Sequence, residues 1–245
     1  MSAFDPSALL DLPWRDGAAL LLFAALWAGY EPLLRRVSRE RGAINRDMDV
    51  VRAGWMAAML RRRESRLLDA NLMGHALNSA SFFASANLIL IAALAGALFG
   101  GEATLRGVRS LDVLPDAPVW LFQLKVATIL LTLARGLLDF IWAIRQMNFW
   151  LAAVGAAPEE AEPEVAGRWA EALGAIVSPA LTNFSAGVRA YYFALAAGVW
   201  LLGPAPFAAA SLTAVALLVW RQSRSKAALG VRRVRELLDE APPSR

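Results

Sequence analysis

The chain has 245 residues, 58% of them hydrophobic, and a mean hydropathy of +0.44; this exceeds the roughly half-apolar usage of soluble domains and places the protein in a membrane. The pI is near 10.1 but the formal charge is only +4, so no nucleic-acid partner is implied and the meaning of the arginines lies in where they sit. The absence of cysteine excludes disulfides, thiolate catalysis and thiolate metal sites, and the single His75 cannot by itself hold zinc or haem, so no metal or cofactor is expected.

The amino terminus, MSAFDPSALLDLPWRDG, is acidic and lacks the basic region of a secretory signal. Residues 1–16 therefore read as a short external segment, and the apolar stretch after them as retained. A first span is expected over 17–34, with Trp14 as interfacial anchor and with Glu31 and Pro32 closing it. Residues 35–69 then carry ten arginines against five acids. Within them Val51, Trp55, Met59 and Leu60 recur at helical spacing, which predicts an amphipathic helix. It has two possible settings, the cytoplasmic membrane surface or the protein's own core.

A second span is expected over 71–99, with no charge between Asp69 and Glu102. It is longer than a bilayer needs, so it tilts or extends beyond the membrane. Asn71, Gly74, His75, Asn78, Ser81 and Ser85 share one third of its surface, suited to helix contacts in lipid or to a wet cavity. Gly96 and Gly100 form a GxxxG pair, a weak signal in such spans. A polar loop follows from Glu102 to Asp116. The third span, 118–142, opens PVWLFQLKVATILLTLARGLLDFIWAIRQMNFW, an apolar helix carrying Lys125, Arg135, Asp139 and Arg145. Charges within a span are costly and turn toward protein or water, unless their long stems reach an interface.

Residues 156–176 read as an acidic soluble loop with one short helix from Glu164. The apolar run from Pro179 to Trp220 is broken by GPAP at Gly203–Pro206, which predicts two spans, 181–202 and 207–220, joined by a tight corner. The second of these is short enough to be re-entrant instead. Residues 221–245 form a basic tail with seven Lys or Arg.

With five spans and the amino terminus outside, the arginine-rich segment, the acidic loop and the tail all fall on the cytoplasmic side, in accord with the positive-inside rule. Trp14, Trp120 and Trp200 would then occupy the outer aromatic belt, and Trp142, Trp150 and Trp220 the inner one. The expected fold is an all-α polytopic bundle of a bacterial inner membrane, with a cytoplasmic amphipathic helix after the first span.

Arg189 falls about two turns inside the fourth span and needs an acceptor, for which Asp139 is the candidate. Arg135, Asp139, Arg145 and Arg189, with His75 and Asn78 from the second span, would form a basic vestibule for an anion or an anionic lipid headgroup. Lys125 is the further charge of this candidate set. His75 and Ser79 are four apart, but no GxSxG, HExxH, Walker-type loop or GxGxxG accompanies them, so no enzyme activity is expected.

The segments INRDMDVVRAGWMAAML, NSASFFASANLILIAAL, IWAIRQMNFWLAAVGAAP and VRAYYFALAAGVWLLGPAPF resemble the uncharacterised bacterial and plant membrane proteins grouped as domain of unknown function 599. The resemblance runs from Tyr30 to Trp220. It points to Asn45, Arg46, Trp55, Arg145, Asn148, Arg189, Tyr191, Tyr192, Trp200, Gly203 and Pro204 as family positions. It implies a multi-span membrane protein and no particular chemistry. Two function classes remain: an oligomeric channel- or carrier-like protein for a small ion or anion, and a non-transporting scaffold or anionic-lipid-binding accessory. The expected partners are the bilayer, anionic headgroups and further copies of the chain.

Overall fold

The computed structural model describes residues 12–41, 44–62, 66–100, 107 and 118–240. Most of the expected amino-terminal segment and, apart from Gly107, the expected loop from Glu102 to Asp116 lie outside the described residues. Among the described residues there are seven α-helices and no strands: α1 (Trp14–Arg41), α2 (Ile44–Arg61), α3 (Leu67–Phe99), α4 (Val119–Ala156), α5 (Pro163–Val199), α6 (Pro204–Arg224) and α7 (Lys226–Glu240). A single 3-10 turn, Trp200–Leu202, joins α5 to α6. Five of the helical segments are long and apolar enough to cross a membrane, those beginning at Trp14, Leu67, Val119, Pro163 and Pro204.

The helices outrun the expected spans, in α1 because a proline read as its terminator is tolerated. Pro32 lies inside α1, which continues to Arg41, and Pro179 lies inside α5. Each proline removes one backbone donor, a loss that a long helix absorbs where packing holds both sides. The expected acidic loop over 156–176 is correspondingly short, since α5 is already helical from Pro163. The corner at Gly203 is as tight as expected. Gly203 has φ of 127°, a left-handed conformation open to glycine, and its N–H donates to the Trp200 carbonyl at 3.0 Å. Pro204 then takes the first helical position, where its missing N–H costs nothing. Starting there rather than at Phe207, α6 has 21 residues and about 31 Å of length, enough to span rather than re-enter.

The chain divides into two compact units. One comprises Met1–Leu33, Ala86–Leu137 and Val188–Leu218; the other comprises Leu34–Ser85, Leu138–Gly187 and Val219–Arg245. The first unit is held by an aromatic cluster linking α1, α5 and α6. Phe23 lies 6.0 Å from Phe193 and 5.2 Å from Phe207, and Trp200 stacks on Phe207 at 4.8 Å. Between helices surrounded by lipid, such close packing replaces the hydrophobic drive.

The second unit has a core of Met56, Met59, Met73, Met147, Trp150, Leu173 and Val177 contributed by α2, α3, α4 and α5. This decides the setting of the amphipathic helix. Met56 and Met59 of α2 are fully enclosed against the other three helices, and Trp55 and Leu60 pack at the margin, so α2 lies on the protein's own core. Burying each methionine stabilises by about 1.5–3 kcal/mol. The tail is likewise structured: α7 packs along α2, where Arg235 meets Asp47 at 2.9 Å and Leu238 fits against Gly54.

Candidate functional site

Two charged constellations form inside the first unit. At one, the carboxylate of Asp16 accepts from the Trp200 indole Nε1 at 2.7 Å and lies 3.7 Å from Lys125 Nζ. The ammonium is 5.7 Å from the Trp200 ring centroid. All three side chains are buried. Three elements are thereby tied at one point: Asp16 opens α1, Lys125 is two turns into α4, and Trp200 opens the 3-10 turn that follows α5. Lys125 was expected to reach an interface or join the arginine cluster. Its side chain is enclosed, with an acid and an indole supplying its counter-charge and its cover.

At the other, Arg189 Nη2 donates to Glu31 Oε1 at 2.6 Å and the guanidinium lies 5.4 Å from the Tyr30 ring centroid. The expected acceptor of Arg189, Asp139, is thus replaced by Glu31. The reason is the persistence of α1 through Pro32, which keeps Tyr30 and Glu31 helical and facing α5. Among the described residues, Arg189 Nη1 and the Tyr30 hydroxyl are buried without a hydrogen-bond partner. The two constellations are separated along α1 by the path from Asp16 to Glu31, about 22 Å. In the same unit, the enclosed Asn87 donates to the Leu133 carbonyl at 2.9 Å.

The other candidates distribute as follows. Arg135 belongs to the first unit and is exposed; Asp139 belongs to the second and is buried; neither is without a partner. Arg145, His75 and Asn78 all lie in the second unit on exposed positions, Arg145 with its guanidinium 6.0 Å from the Trp142 ring. Ser79 donates its hydroxyl to the backbone carbonyl of His75 at 3.0 Å, not to the ring.

Of the family positions, Trp55 donates to the buried Asp69 at 2.7 Å, an acid that also holds Arg62 at 2.8 Å. Asn45 is half-buried and Arg46 exposed on the first turn of α2; Asn148 donates to the Ile144 carbonyl at 3.1 Å. Tyr191 and Tyr192 are half-buried and engaged. Trp150 and Trp200, expected in the aromatic belts, are fully enclosed, since each indole N–H finds an interior acceptor, Met56 Sδ at 3.2 Å and Asp16 respectively.

Asp16, Glu31, Tyr30 and Asn87 were not singled out from the sequence. Asp16 and Glu31 looked like the ends of a span, and a lone Asn87 in an apolar run carried the one usable signal. Also unforeseen was Arg52, buried in the second unit, whose Nη1 donates to Asp49, to the Ser178 carbonyl and to Thr182 at 3.2, 3.3 and 3.5 Å. Burial draws its pKa down from the ordinary arginine value, and Asp49 pulls it back up. Arg66 caps the end of α4 by donating to the carbonyls of Val154, Ala157 and Pro158. Beside that cap a cleft of about 660 Å³ opens, lined by Arg61, Arg62, Glu159, Glu160 and Glu162 over a floor of alanine and glycine. The described residues hold no cluster of His, Asp and Glu fit for a metal.

Helices of spanning length, with the Asp16–Lys125 pair enclosed between them, define a polytopic all-α membrane protein. The family model described as protein of unknown function, DUF599, matches residues 18–227, and the chain belongs to that family. No curated protein and no solved structure matches it.

Proposed function

We propose that this is a carrier- or channel-like protein for a small anion, working as an oligomer in a bacterial inner membrane, with its amino terminus outside, its carboxyl terminus cytoplasmic and no enzymatic chemistry. The observation that carries this reading is the half-completed coordination of Arg189. Glu31 takes one end of the guanidinium, while Nη1 and the neighbouring Tyr30 hydroxyl have no acceptor among the described residues. A buried donor left unmade costs about 1–3 kcal/mol, so an incoming acceptor is rewarded. Glu31 is half exposed while Arg189 is largely enclosed. Displacing or neutralising the carboxylate would therefore hand the guanidinium to an anion. An ionisable group within a span is costly and marks a candidate pathway by default.

The test is flux of chloride, nitrate and phosphate in proteoliposomes. Arg189→Gln is expected to reduce flux at least tenfold, and Glu31→Gln to tighten the apparent affinity for the anion, since the competing carboxylate is gone. Wild-type flux in Arg189→Gln would end the reading. The second reading, a non-transporting scaffold or anionic-lipid-binding accessory, is favoured by the Asp16–Lys125–Trp200 knot, whose groups are consumed in joining helices. It predicts no flux of any of the three anions by the folded wild-type protein.

A further inference from the structure

Of the five candidate spans, α3 is the least enclosed. Its segment within the second unit presents an outward face of Leu68, Leu72, His75, Asn78, Phe82 and Ser85, all exposed, spaced three or four apart. Such spacing makes one continuous stripe about 25 Å long. The stripe suits neither solvent. In lipid the imidazole and the amide would lack partners; in water the leucines and Phe82 would be uncovered.

Two features point to a second copy of the same chain as its cover. Asn78, His75 and Ser85 each carry both donor and acceptor atoms, so a two-fold arrangement can pair them with themselves, and the chain has no charge between Asp69 and Glu102 to repel its counterpart. The face also has a recess beside its ridge, an apolar cleft of about 300 Å³ lined by Trp55, Leu72, Met73, Ala76 and Leu181. Protruding leucines next to a hole are what paired helices interdigitate.

We propose that this face of α3 is the interface between two copies of the chain. The inference rests on the oligomeric part of the preceding reading and is independent of the anion. The protein contains no cysteine, so single substitutions in the full-length chain report cleanly. Asn78→Cys and Ser85→Cys are expected to give disulfide-linked dimers on oxidation in native membranes. Ala80→Cys, buried on the opposite side, and Ala152→Cys, exposed on α4, are expected to remain monomeric. Asn78→Leu, followed by light scattering of the purified protein with its helicity checked, should weaken the dimer about tenfold, as two symmetry-related polar contacts are lost. Failure of both α3 cysteines to cross-link, or dimers through Ala152→Cys in their place, would overturn the assignment. Flux is measured separately, so loss of the anion reading leaves a cross-linked dimer standing, and absence of the dimer leaves any Arg189-dependent flux standing.

Discussion

Lys125 and Asp16 are each more than nine-tenths buried, so each depends on the other for its charge. Removing one member of a buried pair strands the other, at a cost of about 3–5 kcal/mol, whereas replacing both by apolar groups of similar volume is close to neutral. Lys125→Met is therefore expected to lower the unfolding midpoint sharply, and the double variant Asp16→Asn with Lys125→Met, which keeps an amide oxygen for the Trp200 indole N–H, to recover most of it, measured by thermal unfolding in detergent. A similar loss in both variants would mean that the net charge pair itself stabilises the bundle. The sequence located Lys125 as an intramembrane charge but not its partner. Asp16 lies 109 positions away and adjoins a tryptophan and an arginine that mark an interface, so local context described it as a boundary residue. The choice of Glu31 over Asp139 as the acceptor of Arg189 was hidden for the same reason, since it depends on how two helices face each other.

Helix packing within the second unit turns on one glycine that the sequence did not mark. A Cβ on Gly187 of α5 would lie 2.6 Å from the ring of Phe140, which is fully enclosed and stacked on Phe83 at 5.8 Å. Alanine normally favours a helix over glycine by about 1 kcal/mol. Here the overlap with an immobile ring costs more, about 1–3 kcal/mol, and decides the sign. Gly187→Ala should destabilise while Gly96→Ala, whose Cβ would meet nothing within 4 Å, should be neutral or stabilising; a comparison of their unfolding midpoints checks both. The GxxxG spacing pointed to Gly96, and the structure points to Gly187, because small-residue motifs report opportunity for close approach and not the neighbour that takes it. Helix α2 illustrates the converse. Its apolar periodicity was legible, and with it the existence of a buried face, but lipid and protein core demand the same pattern, so only the contacts of Met56 and Met59 separate them.

At the scale of the molecule, an odd number of spans puts the two ends of the chain on opposite sides of the membrane. Reporters attached before Trp14 and after Glu240 are expected in different compartments, the carboxyl-terminal one cytoplasmic, and a protease-protection assay checks this; both on one side would remove the five-span arrangement. Composition, hydropathy and the distribution of arginine determined by themselves that the chain is a helical membrane protein with about five spans and a corner at Gly203–Pro204. They could do so because the bilayer imposes one length and one polarity on every span, and both are written locally along the chain. Where each helix stops, which acid neutralises Lys125 or Arg189, and which tryptophans turn inward were decided only by the tertiary structure. Those outcomes depend on partners far apart in sequence, and a buried charge or indole N–H takes whatever acceptor the packing of the helices brings to it.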